Sequence, residues 1–169
     1  MSEVLVLVDH VDGAVRKPPT SCWRSPSGSA PPSAVFIGGA DKAAAAADAV
    51  KAYGADKVYV VDDTEIKGYL VAPKAEVLQQ LAEKTSPAAI LIPASAEGKE
   101  IGGRLAIKLS SGLITDASTS RSTATTSSPP SRSSPATSRW TPRSSRAPPI
   151  ITVKPNAAAP EEGAGAGAV

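Results

Sequence analysis

The chain has 169 residues, which suit one domain and could accommodate a second small one, and its formal net charge is +2. One cysteine, Cys22, and one histidine, His10, exclude a disulfide framework and metal sites built from several cysteines or histidines. No apolar run is long enough to cross a membrane, and the N-terminus lacks the basic start of a signal peptide. We therefore expect a cytoplasmic protein that does not span a membrane.

The first predicted element is a strand over Val4–Val8, where apolar residues follow one another without alternation. Such a run is typical of strands buried on both faces, as in parallel sheets. The strand ends at Asp9 and His10, a polar pair with which the sequence places no serine or cysteine nucleophile. A single histidine at a strand end favours a structural or solvent-facing role.

Residues 18–31 interrupt the pattern of strands and helices. The next predicted strand, Ala34–Ile37, needs a crossover if it is to lie parallel to the first, and a crossover is usually a helix. Residues 18–31 are rich in proline and serine and have no apolar stripe, so the sequence does not predict a helix there.

Two glycines and an alanine-rich helix follow the second strand. The helix is predicted over Lys42–Tyr53, with Asp41 as its cap and Gly54 as its C-terminal stop. Gly38 and Gly39 suggest a phosphate-binding loop, but their spacing is not that of the Gly-x-Gly-x-x-Gly pattern. A tight turn is therefore the favoured interpretation.

Further strands and helices alternate along the middle of the chain. They are a strand over Lys57–Val61, a helix over Pro73–Lys84 with the proline in its first turn, a strand over Ala88–Ile92, a helix over 98–110 that ends at Gly112, and the start of a strand at Leu113-Ile114. The apolar stripes of the two helices are formed by Val77, Leu78 and Leu81 and by Ile101, Leu105 and Leu109. This alternation predicts an α/β fold in which a mostly parallel sheet is flanked by helices in three layers.

The segment Ser95–Glu100 lies between a predicted strand and the next helix, at the sheet edge where α/β folds usually bind ligands. Two interpretations stay open at this point. Lys99 and the helix N-terminus would together attract an anion. Alternatively, Ser95 is an ordinary N-cap, and Glu97 and Glu100 are favourable near the positive end of the helix. No catalytic constellation emerges, and we assign no catalytic, cofactor-binding or metal-binding residue.

Residues 118–149 form the second anomalous stretch, with eleven serines, six threonines, six prolines, five arginines and no valine, isoleucine or leucine. Such a composition cannot contribute to a core. Without the five arginines the formal charge becomes +2 − 5 = −3, so the basic average does not indicate nucleic-acid binding. The segment Ile150–Val153 again predicts a strand, and residues 156–169 form an alanine- and glycine-rich linker tail.

We hypothesise that residues 18–31 and 118–149 are translated out of frame. In a GC-rich gene, a slip turns the valine, aspartate and alanine codons GTC, GAC and GCC into the serine, threonine and proline codons TCG, ACG and CCG. Codons for Ser21 to Arg24 regroup to Leu-Leu-Ala, which is helix-forming sequence where the crossover helix is missing. The alternative is that both stretches are genuine low-complexity linkers.

Several segments resemble the N-terminal domain of electron transfer flavoprotein alpha subunits, especially those of high-GC actinobacteria. The resemblance covers residues 1–17, 32–117 and 149–155. The segments that carry it are Glu3–His10 with Asp12-Gly13, Ala55–Asp62, Tyr69–Pro73, Glu97–Ala106, Ser111–Asp116 and Pro149–Pro155.

The resemblance implies an electron carrier subunit rather than an enzyme, with a fold similar to adenine-nucleotide-binding domains. Members of the family pair with a beta subunit, carry one FAD and, in many cases, one AMP on the beta subunit. They pass electrons from acyl-CoA dehydrogenases of fatty acid beta-oxidation to a membrane quinone oxidoreductase. The FAD is expected in a C-terminal domain outside this chain, so no flavin-contacting residue is carried over.

We therefore expect a truncated alpha subunit whose residues 1–155 serve as scaffold and beta-subunit interface, with 18–31 and 118–149 disordered or aberrant. Two alternatives remain open. The first is a stand-alone nucleotide-binding module, and the second is a non-functional pseudogene product that does not fold.

Overall fold

A computed structural model of the chain describes residues 3–11, 14–15, 31–52, 54–63, 66, 69–117 and 147–154. These residues form β1 (Val4–Leu7), β2 (His10–Val11), β3 (Ala14–Val15), β4 (Pro32–Ile37), α1 (Ala40–Lys51), β5 (Lys57–Val61), α2 (Ala72–Thr85), β6 (Ala89–Pro93), α3 (Ala96–Lys108), β7 (Leu113–Ala117) and β8 (Ile150–Val153). The two stretches predicted to be anomalous lie outside the described residues, apart from residue 31 and residues 147–149.

Six strands form one sheet in the order β5-β4-β1-β6-β8-β7, and every neighbouring pair is parallel. The chain moves from β1 to β4 and β5, returns to β6 on the other side of β1, continues to β7 and steps back to β8. Ile150 of β8 therefore pairs with both Ile90 and Leu113. The predicted parallel sheet is confirmed, and β2 and β3 form a separate antiparallel pair.

The residues of β1 alternate between two hydrophobic clusters on opposite faces of the sheet. Val4 and Val6 belong to the cluster that contains α1, while Leu5 and Leu7 belong to the cluster that contains α2 and α3. All four side chains are buried, and complete burial of such a side chain stabilises the fold by about 2 kcal/mol. With helices on both faces, the predicted three layers are confirmed.

The start of α1 differs from the sequence prediction. Only two residues join β4 to α1, so Gly39 is the N-cap and no side chain caps the helix. The prediction that Asp41 is the cap is wrong, because the short connection starts the helix early and places this residue inside its first turn. Gly54 closes the helix as predicted: it has a φ of 97° and its N–H donates to the Lys51 carbonyl at 3.0 Å.

The predicted apolar stripes of α2 and α3 face the sheet. Leu78, Ile101 and Leu105 are completely buried in the cluster that these two helices share. Pro73 lies in the first turn of α2, as predicted. These contacts fix both helices against the same face.

The end of α3 is formed by a serine rather than by the predicted glycine. Ser110 takes the left-handed conformation, with a φ of 50°, and its N–H donates to the Ile107 carbonyl at 3.2 Å. The helix therefore closes before Gly112, so the prediction that this glycine ends it is wrong.

Candidate functional site

A crevice opens at the topological switch point of the sheet, where α/β folds usually bind ligands. In the sheet, β4 lies on one side of β1 and β6 lies on the other, so the loops that follow β1 and β6 separate. The crevice brings together the two polar segments that the sequence had suggested as candidates. Its polar and glycine lining consists of Asp9, His10, Lys74, Ser95, Glu97 and Gly98.

His10 is fixed in the crevice wall by its neighbours. Its Nε2 lies 2.8 Å from the Ile37 carbonyl oxygen, and its ring stacks on Phe36 with the centroids 4.4 Å apart. A Cβ at Gly38 would approach both rings to about 3 Å, so a glycine allows this stacking. When Nε2–H donates to the carbonyl, Nδ1 is a buried acceptor, and no described residue donates to it. The structural role predicted for this histidine is supported.

The N-terminus of α3 is capped by the residue that the sequence had suggested. Ser95 is extended, with a φ of −76° and a ψ of 166°, and its Oγ accepts a hydrogen bond from the Gly98 N–H at 3.0 Å. A Cβ at position 98 would lie only 2.0 Å from the Pro93 carbonyl oxygen. This glycine therefore lets α3 begin directly against the end of β6, and the capping interpretation is confirmed.

The charged side chains beside this helix start are paired with one another. Lys74 of α2 forms an ion pair with Glu97 of α3. Lys99 Nζ lies 2.9 Å from Asp116 Oδ2. Lys99, which the sequence suggested as an anion-binding residue, and Lys74 are thus both paired with carboxylates, so the alternative of an anion site is not supported.

The crevice is small, and its lining has more acidic than basic side chains. Its cavity volume is about 30 Å³, which is room for one or a few water molecules. Asp9 and Glu97 add two carboxylates to the lining against the one charged amine of Lys74. A phosphate group placed among these side chains would meet a net negative charge.

Gly38 and Gly39 form a tight turn, as predicted. The Gly38 N–H donates to the Val61 carbonyl at 3.0 Å, and the Gly39 carbonyl accepts from the Lys42 N–H at 3.0 Å. The backbone donor that a phosphate would use at Gly38 is therefore already occupied by the neighbouring strand.

A second polar cluster, at the opposite edge of the sheet, was not predicted from the sequence. Glu3 is 7% exposed, and its carboxylate accepts hydrogen bonds from Ser33 Oγ at 2.5 Å and Tyr59 Oη at 2.8 Å. Lys57 Nζ lies 3.9 Å from the same carboxylate. A glutamate directly before a strand buried on both faces was the signal that could have drawn attention to it. We call this set the Glu3 cluster.

The Glu3 cluster changes the chemistry of its tyrosine. Burial raises the pKa of Tyr59 to about 12, and the hydrogen bond to Glu3 and the negative charge of Glu3 act in the same direction. The phenol is therefore kept neutral as a donor, so the cluster is a satisfied buried network rather than a proton-transfer site.

Two further properties concern metals and membranes. Within the described ranges, no three histidine, cysteine, aspartate or glutamate side chains come together as ligands for a metal ion. None of the helices in the described part of the chain combines the length and apolar character needed to span a membrane.

Comparison with known proteins gives a consistent family assignment. The profile described as "Electron transfer flavoprotein domain" matches residues 24–169. The electron transfer flavoprotein subunit alpha of Mycobacterium tuberculosis is 44% identical over 116 residues, which are 69% of this chain and 36% of that protein. The same subunit of Mycobacterium leprae is 42% identical over 116 residues, with the same coverage. That of Bacillus subtilis is 30% identical over 118 residues, which are 68% of this chain and 36% of the relative.

The chain thus spans about one third of the length of the relatives it matches. The profile covers most of the chain. The six-stranded sheet, apart from β1, and the capped start of α3 lie within the matched residues. The chain belongs to the electron transfer flavoprotein family and corresponds to the N-terminal domain of its alpha subunit.

Proposed function

We propose that this chain acts as the scaffold of an electron transfer flavoprotein alpha subunit and as its contact surface for a beta subunit. The observation that supports this most is the 44% identity to an alpha subunit of which the chain spans 36%. The crevice adds to the argument, because its small volume of about 30 Å³ and the carboxylates of Asp9 and Glu97 in its lining do not favour a nucleotide phosphate there.

In the whole assembly we propose the family's role, which is FAD-mediated electron transfer. The donors would be acyl-CoA dehydrogenases, the acceptor a quinone oxidoreductase, and the location the cytoplasm. FAD would be held by residues outside this chain, as the family resemblance implies. The protein's part in the chemistry is then to position the beta subunit and the flavin domain.

Co-purification tests this proposal directly. The full 169-residue chain is expressed together with the beta subunit from the same organism, and the mixture is separated by size-exclusion chromatography. We expect the two chains to elute together at one-to-one stoichiometry. Flavin absorbance is expected to be absent from this complex. Elution as separate species, or a yellow chain in the absence of any other subunit, would contradict the proposal.

We further propose that residues 18–31 and 118–149 have lost the reading frame of the ancestral gene. On either side of each stretch the described strands pair in register: Val4 with Pro32 across the first, and Leu113 with Ile150 across the second. A chain that evolved around these pairings needs a crossover in each gap. The low-complexity linker remains the competing explanation, and the nucleotide sequence of the gene distinguishes the two.

A further inference from the structure

We draw no further inference here: the strongest candidate, the exposed apolar pair Tyr69 and Leu70 on the turn before α2, carries nothing because nothing in the described part of the structure shows what covers it.

Discussion

Lys99 Nζ lies 2.9 Å from Asp116 Oδ2, and this ion pair ties the first turn of α3 to the irregular part of β7. Asp116 has a φ of 56°, and its N–H donates to the buried Thr152 Oγ at 2.9 Å. Its backbone thus follows the register shift between β7 and β8, while its side chain holds the helix. The contact joins two of the segments that carried the family resemblance, and it explains structurally why a lysine and an aspartate occur there.

Two substitutions at Asp116 distinguish the contribution of the ion pair to stability from that of the left-handed backbone conformation. Asp116→Asn removes the charge but tolerates the left-handed conformation, so we expect a loss of less than about 1 kcal/mol in the free energy of unfolding. Alanine tolerates the left-handed conformation less well than asparagine. We therefore expect Asp116→Ala to lose about 1–2 kcal/mol more in the free energy of unfolding than Asp116→Asn. Urea unfolding of the full chain followed by circular dichroism measures both. Equal losses in the two variants would show that the backbone conformation carries no cost here.

Gly98 and Gly103 lie in the same helix but meet different surroundings. A Cβ at position 98 would overlap the Pro93 carbonyl oxygen at 2.0 Å, whereas nothing lies within 4 Å of a Cβ at position 103. We expect Gly98→Ala to displace the start of α3 and to cost about 3 kcal/mol. Gly103→Ala is expected to stabilise the chain by up to about 1 kcal/mol, because alanine is the better helix former. Thermal unfolding of the two variants gives the comparison, and similar melting temperatures would contradict the close approach of α3 to β6.

The Glu3 cluster predicts that Tyr59 loses its proton only at an unusually high pH. The folded-state pKa of Tyr59 is raised to about 12 from 10.0, so folding favours the neutral phenol. The stability that this contributes is fully present below pH 10.0 and is lost as the pH rises towards about 12. We expect the ultraviolet difference titration between the wild type and Tyr59→Phe to have its midpoint near the raised pKa of about 12.

Glu3→Gln provides the control for this titration. The variant keeps an acceptor for Ser33 but removes the negative charge, so the pKa of Tyr59 is expected to fall towards its ordinary value. Glu3→Ala, in contrast, leaves the buried Ser33 hydroxyl without this acceptor, and we expect a loss of about 1–3 kcal/mol in the free energy of unfolding. An unchanged tyrosine titration in Glu3→Gln would mean that burial alone sets the pKa.

The parts of the structure that the sequence predicts are those with a local signal. Continuous apolar runs identified the strands of the sheet, and the stripe containing Leu78 identified the buried face of α2. The Glu3 cluster had no such signal, because its hydrogen bonds join residues 30 and 56 positions apart. The position of β8 between β6 and β7 is also set by distant pairing. The capping role of Ser95 was within reach of the sequence, whereas the pairing of Lys99 with Asp116 required the structure.

The last prediction concerns the crossover between β1 and β4. The steps from β1 to β4 and from β4 to β5 run in the same direction across the sheet, and α1 makes the second of them. Because parallel crossovers are right-handed, a helix that makes the first step must lie on the same face as α1, over Val4 and Val6. A frame-restored helix would thus add its apolar stripe to an existing core.

Replacing residues 18–31 with the corresponding segment of the Mycobacterium tuberculosis relative tests this directly. Val4 and Val6 are already buried, so the gain comes from the apolar stripe of the grafted helix itself. At about 25 cal/mol per Å², a stripe of several hundred Å² is worth several kcal/mol, and we expect the free energy of unfolding to rise by up to that amount. The same graft with its apolar stripe changed to serine is the matched control and is expected to gain nothing. Equal stability of the two grafts would contradict packing on the face of Val4 and Val6. A gene in which the alternative frames encode no peptide with an apolar stripe would remove the frame-slip explanation and leave a genuine linker between β1 and β4.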